Sequence, residues 1–262
     1  MIAVAVAGAL GRMGSEVIRA VSAAEDLEVV AGVDVPAAIG GQPAPAGIAL
    51  SSDLKQAISD AKPQVLVDFT VAEAAFANAM TALELGVRPV IGTTGMGPEQ
   101  VQRLEARASE TKTGAFLAPN FALGAVLMMY FARIGARYFD SAEIIELHHD
   151  QKIDAPSGTG LKTAQDMVAS RGHPFETNVP DKEPLPGGRG ANCDGVRLHS
   201  VRLPGLVAHH EVIFGGQGQI LTIRHDSTDR TSFMPGVLIA IREVLKLDRL
   251  VVGLDTLLGL RV

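Results

Sequence analysis

The sequence predicts an α/β protein: an N-terminal parallel sheet wound with helices, followed by a second α+β domain with an open mixed sheet. Three observations carry this. Short β-branched runs alternate with helical patterns up to about residue 120, the mark of βαβ units. Beyond it, three strand-like runs follow one another closely, Val196–Leu203, Leu206–Phe214 and Gln219–His225, with Gly215-Gly216-Gln217-Gly218 as a hairpin signal. A 47% hydrophobic composition over 262 residues supplies enough apolar surface for two cores.

Taken in order, Ile2–Ala7 reads as a strand, Arg12–Ala23 as a helix and Leu27–Val33 as a second strand. A loop over Pro36–Gly47 precedes a helix near Asp53–Ser59 and a third strand, Gln64–Phe69. Helix Ala72–Leu85 stops at Gly86, a good C′ residue. Strands Pro89–Gly92 and Ala115–Leu117 flank a helix from Pro98 to about Glu110. The second part opens with a helix from about Leu123 to Arg137, then strand Ala142–His149 and helix Thr159–Ser170. A Pro/Gly-rich stretch, Arg171–Gly195, leads into the three strands. Apolar positions 233, 237, 238, 241 and 245 place a last helix over Phe233–Leu245, free to return to the first domain. The expected domains are 1–119 with 229–262, and 120–228.

Composition excludes several classes. A formal charge of −6 lacks the basic footprint of a nucleic-acid binder. One cysteine, Cys193, forbids an intrachain disulfide or a cysteine zinc site. The apolar start meets Arg12, and the run from Phe121 to Ala132 is closed by Arg133, so both are too short to span a bilayer. A cytoplasmic protein, with no membrane partner, is expected.

Gly8-Ala9-Leu10-Gly11-Arg12-Met13-Gly14 follows the first strand and opens the first helix. A pyrophosphate needs such a turn, because glycines allow close backbone approach and the helix N-terminus offers N–H groups and positive dipole. The second strand ends at Asp34, 20 residues past Gly14, where an acid can accept hydrogen bonds from a ribose. Together these predict a Rossmann-type dinucleotide site. Gly92-Thr93-Thr94 and Ala118-Pro119-Asn120-Phe121 end the fourth and fifth strands and are placed to line its nicotinamide half.

The stretch Glu146–Gly160 holds His148, His149, Lys152 and a helix start at Ser157-Gly158-Thr159, with Pro156 read as a first-turn residue. A helix start after a cationic strand end suits carboxylates, and imidazole transfers protons near neutral pH. Adjacent histidines on a strand point to opposite faces, so no metal site is expected there. His209-His210 lacks such surroundings and reads as structural.

These motifs resemble the 4-hydroxy-tetrahydrodipicolinate reductase (dihydrodipicolinate reductase) family. The resemblance runs through Gly8–Gly14, Val67-Asp68-Phe69-Thr70, Gly92-Thr93-Thr94, Ala118–Phe121, the His-His-x-x-Lys-x-Asp-Ala-Pro-Ser-Gly-Thr signature and Phe214-Gly-Gly-Gln-Gly. It implies reduction of a cyclic unsaturated imine dicarboxylate to tetrahydrodipicolinate with NADH or NADPH. It implies His148 as proton donor or acceptor and Lys152 as a second proton donor that contacts a carboxylate. His149, Ser157, Gly158 and Thr159 are implied substrate contacts. Gly8 to Met13, Asp34, Gly92 to Thr94 and Ala118 to Phe121 form the implied cofactor shell. A homotetramer assembled through the second domain's sheets is also implied. One departure stands out: Val35 follows Asp34 where many members carry a basic residue, so one anchor for a 2′-phosphate is lost while Arg12 can supply another, which predicts weaker preference for NADPH or a preference for NADH. Two other readings stay open, another Rossmann dehydrogenase of a small dicarboxylate and a non-catalytic NAD-binding sensor.

Overall fold

The computed structural model describes residues 1–40, 47–177, 179 and 182–260. Its chain divides into two compact units, Met1–Ala122 with Arg230–Gly259, and Leu123–Asp229.

The first unit begins with β1 (Ile2–Ala7), whose Val4 to Ala7 are wholly buried. A strand covered on both faces has no need of polar alternation, so it reads as a continuous apolar run. There follow α1 (Arg12–Ser22), β2 (Leu27–Val33), the short α2 (Pro36–Ile39), β3 (Leu50–Ser51) and α3 (Leu54–Ala61). Asp53 caps α3, its carboxylate accepting from the N–H groups of Lys55 and Gln56. Next come β4 (Val65–Asp68), α4 (Ala72–Glu84), β5 (Arg88–Ile91), α5 (Pro98–Thr111) and β6 (Ala115–Leu117).

The second unit comprises α6 (Leu123–Gly135), β7 (Ser141–His148), α7 (Gly158–Arg171), β8 (Ala191–Cys193), β9 (Val196–Arg202), β10 (Ala208–Gly216) and β11 (Gln219–Ser227). The chain then completes the first unit with a 3₁₀ turn (Arg230–Phe233), α8 (Met234–Glu243), β12 (Leu250–Val252) and α9 (Leu254–Leu257).

The first sheet is parallel throughout, in the order β12-β6-β5-β4-β1-β2-β3. Strand order reverses between β1 and β4, which opens a crevice at their carboxyl ends. The second sheet, β11-β10-β7-β9-β8, is mixed: β7 and β9 are parallel, the other neighbours antiparallel. One of its faces contributes Ile144, Leu198, Val212 and Phe214 to a core shared with Met128 and Ala132 of α6 and Ala164 and Met167 of α7. The α/β class and the mixed second sheet are as the sequence predicts.

Several local expectations change. Pro36 begins a helical turn where a loop is expected, and residues 41–46 of that loop lie outside the described residues. Pro156 precedes the N-cap Ser157 and is not in the first turn of α7, because the helix starts at Gly158. Gly215 and Gly216 belong to β10, so the hairpin turns on Gln217 and Gly218 alone, with Gly218 at φ +71°. The helix expected over Phe233–Leu245 is α-helical only from Met234 to Glu243, with 3₁₀ turns on either side. Strands β3, β8 and β12 had no sequence signal; they are two or three residues long and exist through pairing with a neighbour.

Candidate active site

The glycine loop sits at the crevice. Gly8 has φ +74°, a left-handed conformation that side chains rarely adopt, and this turns the chain sharply out of β1. A Cβ on Gly14 would lie 2.0 Å from the Gly8 carbonyl oxygen, so only glycine lets α1 start this close to the strand. Gly14 is thus a packing glycine, not a point of ligand approach. The N-cap of α1 is Gly11, without a side-chain cap, and its first turn holds no acid. The first N–H groups and the positive helix end are left to an outside anion, the condition a pyrophosphate needs. Arg12 is exposed beside them.

Asp34, at the end of β2, accepts hydrogen bonds from the N–H groups of Leu10 and Val35, both at 2.8 Å. It braces the glycine loop and keeps lone pairs for further donors. A cavity of about 400 Å³ in this unit is lined by Met13, Phe69, Thr70, Val71, Gly92, Thr93 and Thr94, among others. A Cβ on Gly92 would lie 2.0 Å from the Phe69 ring, so only glycine fits against that ring at the border of the cavity. Asn120 turns the chain after β6 by accepting from the Ala122 N–H at 2.9 Å. Ala9, Ala118 and Phe121 are buried, Phe121 against the rings of Phe69 and Phe116, so these shape the wall from behind. Pro119 is exposed next to them. The residues present fit a nicotinamide dinucleotide.

Asp68, to which the sequence gives no site role, organises this wall. Its buried carboxylate accepts from the Thr70 N–H (2.9 Å), the Thr70 hydroxyl (2.6 Å), Asn78 Nδ2 (2.8 Å) and, more weakly, the Thr93 hydroxyl (3.5 Å). Burial pushes its carboxyl above the usual carboxylate range, and these neutral donors offset only part of that.

In the second unit, residues two apart on β7 share a face, and Glu146 therefore lies beside His148. His148 Nδ1 is 2.5 Å from Glu146 Oε2. The register of β7 against β9 puts Arg202 opposite His148, and its guanidinium grips both oxygens of Glu146 at 2.8 and 3.0 Å. Arg202 also donates to the Asp154 carbonyl at 2.8 Å, tying the loop after β7 to the sheet. Lys152 Nζ is 2.7 Å from Asp154 Oδ1, and Lys152 holds the Asp154 carboxyl below its ordinary value.

Ser157 is buried and doubly engaged: its hydroxyl accepts from the Gly160 N–H at 3.1 Å, and its own N–H donates to Glu146 Oε1 at 3.2 Å. Gly158 and Thr159 follow at the helix start, where N–H groups lack intrahelical acceptors. His149 is exposed at the strand end. His210, expected to be merely structural, is the register partner of Glu146 on β10 and is buried beside it. Arg202 and His210 lie far along the chain from His148, and only the sheet register could have revealed them. Glu146 was legible from its spacing to His148.

A dinucleotide crevice in one unit, and in the other an imidazole, a lysine and a guanidinium around a helix start, define an NAD(P)H-dependent oxidoreductase acting on a small anion. Comparison with known proteins narrows the class. Residues 2–121 match the family profile "Dihydrodipicolinate reductase, N-terminus" and residues 124–258 match "Dihydrodipicolinate reductase, C-terminus". The chain is 55% identical to a 4-hydroxy-tetrahydrodipicolinate reductase of Moorella thermoacetica, over 98% of each chain. It is 50% identical to one of Geobacillus kaustophilus, over 98% of this chain and 99% of that one. A solved dipicolinate-bound dihydrodipicolinate reductase from Paenisporosarcina sp. TG-14 superposes with TM-score 0.90 at 45% identity, covering 98% and 99% of the two chains. An amine dehydrogenase from Mycobacterium smegmatis, at 16% identity and TM-score 0.66, shares the fold. The chain belongs to the dihydrodipicolinate reductase family.

Proposed function

We propose that this chain reduces 4-hydroxy-tetrahydrodipicolinate to tetrahydrodipicolinate, with loss of water, in the diaminopimelate route to lysine, and that His148 and Lys152 carry its proton chemistry. The observation that bears this reading is the cluster of His148, Lys152 and the Ser157-capped helix start, joined through Glu146 and Arg202. When bound, the reduced nicotinamide supplies the hydride. The glycine loop from Gly8 to Met13 holds the pyrophosphate, Asp34 the ribose, and Gly92 to Thr94 with Ala118 to Phe121 the nicotinamide end. Lys152, His149 and the amides of Gly158 and Thr159 hold the substrate carboxylates, so Lys152 exchanges Asp154 for substrate. His148 delivers a proton to the carbon next to the one that receives hydride, which prevents a carbanion from accumulating.

The test is an assay in which the preceding synthase makes the unstable substrate in situ and loss of reduced-nicotinamide absorbance is followed. His148→Gln and Lys152→Cys should lower kcat by about 10²–10⁴-fold while NADH affinity stays near that of the parent. Full turnover in either variant removes its residue from the mechanism.

Val35, 62% exposed beside Asp34, offers no charge to a 2′-phosphate, which supports use of NADH at least as readily as NADPH. A large NADPH advantage in kcat/KM would sink that preference. A homotetramer formed through the second sheet is supported by strand β11, whose Ile220 and Leu221 are exposed; sedimentation would check it. Among the described residues no helix is long and apolar enough to cross a membrane, and we assign the chain to the cytoplasm with its pathway.

A further inference from the structure

Glu146 is fully buried, yet it is gripped by four sets of donors: His148 Nδ1, both terminal nitrogens of Arg202, the Ser200 side chain and the Ser157 N–H. Burial pushes its carboxyl upward, but the bonds from His148, Arg202, Ser200 and Ser157 outweigh this and hold it well below the usual carboxylate range. An ionised carboxylate can only accept, so the hydrogen between Glu146 and His148 resides on Nδ1. That leaves Nε2 as the nitrogen able to exchange a proton with another molecule.

We propose that Glu146 is the positioning residue for His148, fixing the ring in the Nδ1–H form with Nε2 as the proton-transfer atom, and that Arg202 holds Glu146 in place for this task. The proposal rests on the proton-donor role given to His148 above. In the step itself the Nε2–H bond of the imidazolium breaks, its proton goes to the substrate carbon and its electron pair stays on the ring. The imidazole ends neutral, with its remaining hydrogen directed at Glu146.

Among the described residues in register with the pair, no other group can do this. Opposite His148, β9 presents Arg202, a donor only, and β10 presents Ala208. Opposite Glu146, β9 presents Ser200 and β10 presents His210. Burial lowers the His210 ring to about 4, so it stays neutral across the working range, and its Nε2 has no partner among the described residues. Asp154 faces Lys152 and Arg202 from the loop and makes its own ion pair. The charge on Glu146 is therefore answered by Arg202 and shared with His148 alone.

The wild-type chain tests this first. With ¹⁵N-labelled histidine, long-range ¹H–¹⁵N spectra at alkaline pH should show His148 protonated at Nδ1, its signals identified by their loss in His148→Gln. A ring protonated at Nε2 overturns the proposal without any variant at Glu146. In Glu146→Gln the amide directs a donor at Nδ1, so the neutral ring should switch to the Nε2–H form. Turnover should fall by about 10²–10⁴-fold. Pyridine-2,6-dicarboxylate should still bind within a few-fold of the parent, and Glu146→Asp should recover part of the turnover. Unchanged kcat and tautomer in Glu146→Gln would refute the positioning role. Full turnover in His148→Gln would instead remove the proton-donor reading, whatever the spectra show for Glu146.

Discussion

Asp68 and Glu146 are both completely buried carboxylates near the carboxyl ends of sheet strands, one in each unit, yet their ionisation is pushed in opposite directions. Asp68 meets only neutral donors, two threonines and an asparagine, and burial wins. Glu146 meets a guanidinium and an imidazole, and the donors win. At equal burial the charge of the partners decides the sign. The cofactor unit shapes its site with dipoles and close backbone approach. The substrate unit places full charges.

Truncation should separate the two most sharply. Glu146→Ala leaves the part-buried Arg202 without its partner and should cost about 3 kcal/mol, whereas Asp68→Asn keeps neutral hydrogen bonding and should cost about 1 kcal/mol. Urea denaturation measures both, and equal losses would break the comparison. Acid provides a second test. The unfolded chain binds protons at His210 more readily than the folded one, whose ring titrates near 4 rather than 6.5. Stability should therefore fall as pH drops through that window, by about 3 kcal/mol in all. His210→Asn should remove this part of the slope, leaving the smaller contribution of His225, whose ring is lowered in the same sense.

Below about pH 4.5 the two carboxylates diverge again. Glu146 resists protonation when folded and its stabilisation is lost as the unfolded chain takes up protons. Asp68, raised in the fold, gains stability on protonation. The smallest contrast is between glycines. Gly14→Ala drives a methyl into the Gly8 carbonyl and should cost about 1–3 kcal/mol and weaken NADH binding. Gly158→Ala meets nothing within 4 Å and should gain about 0.5 kcal/mol as a helix residue, while weakening pyridine-2,6-dicarboxylate binding. Calorimetry with each ligand checks both.

Much of the fold and half of the site were legible along the chain. β1, β2 and β6 span the residues the sequence predicts, and in β1 and β6 burial on both faces leaves its mark in consecutive apolar residues. The glycine loop, Asp34 and the run from Glu146 to Thr159 are contiguous or at fixed spacing, and such spacing survives in sequence. Edge strands such as β12 left no mark, since three residues acquire strand geometry only by pairing with β6. Sequence by itself determined the kinds of chemistry available: a pyrophosphate turn, a ribose acid, an imidazole and a lysine near a helix start. Only the tertiary structure decided which charges meet. Arg202 reaches Glu146 through the parallel register of β7 and β9, and His210 faces it through the antiparallel register of β7 and β10. Register is set by packing of the whole sheet on α6 and α7, and no local stretch of sequence encodes it.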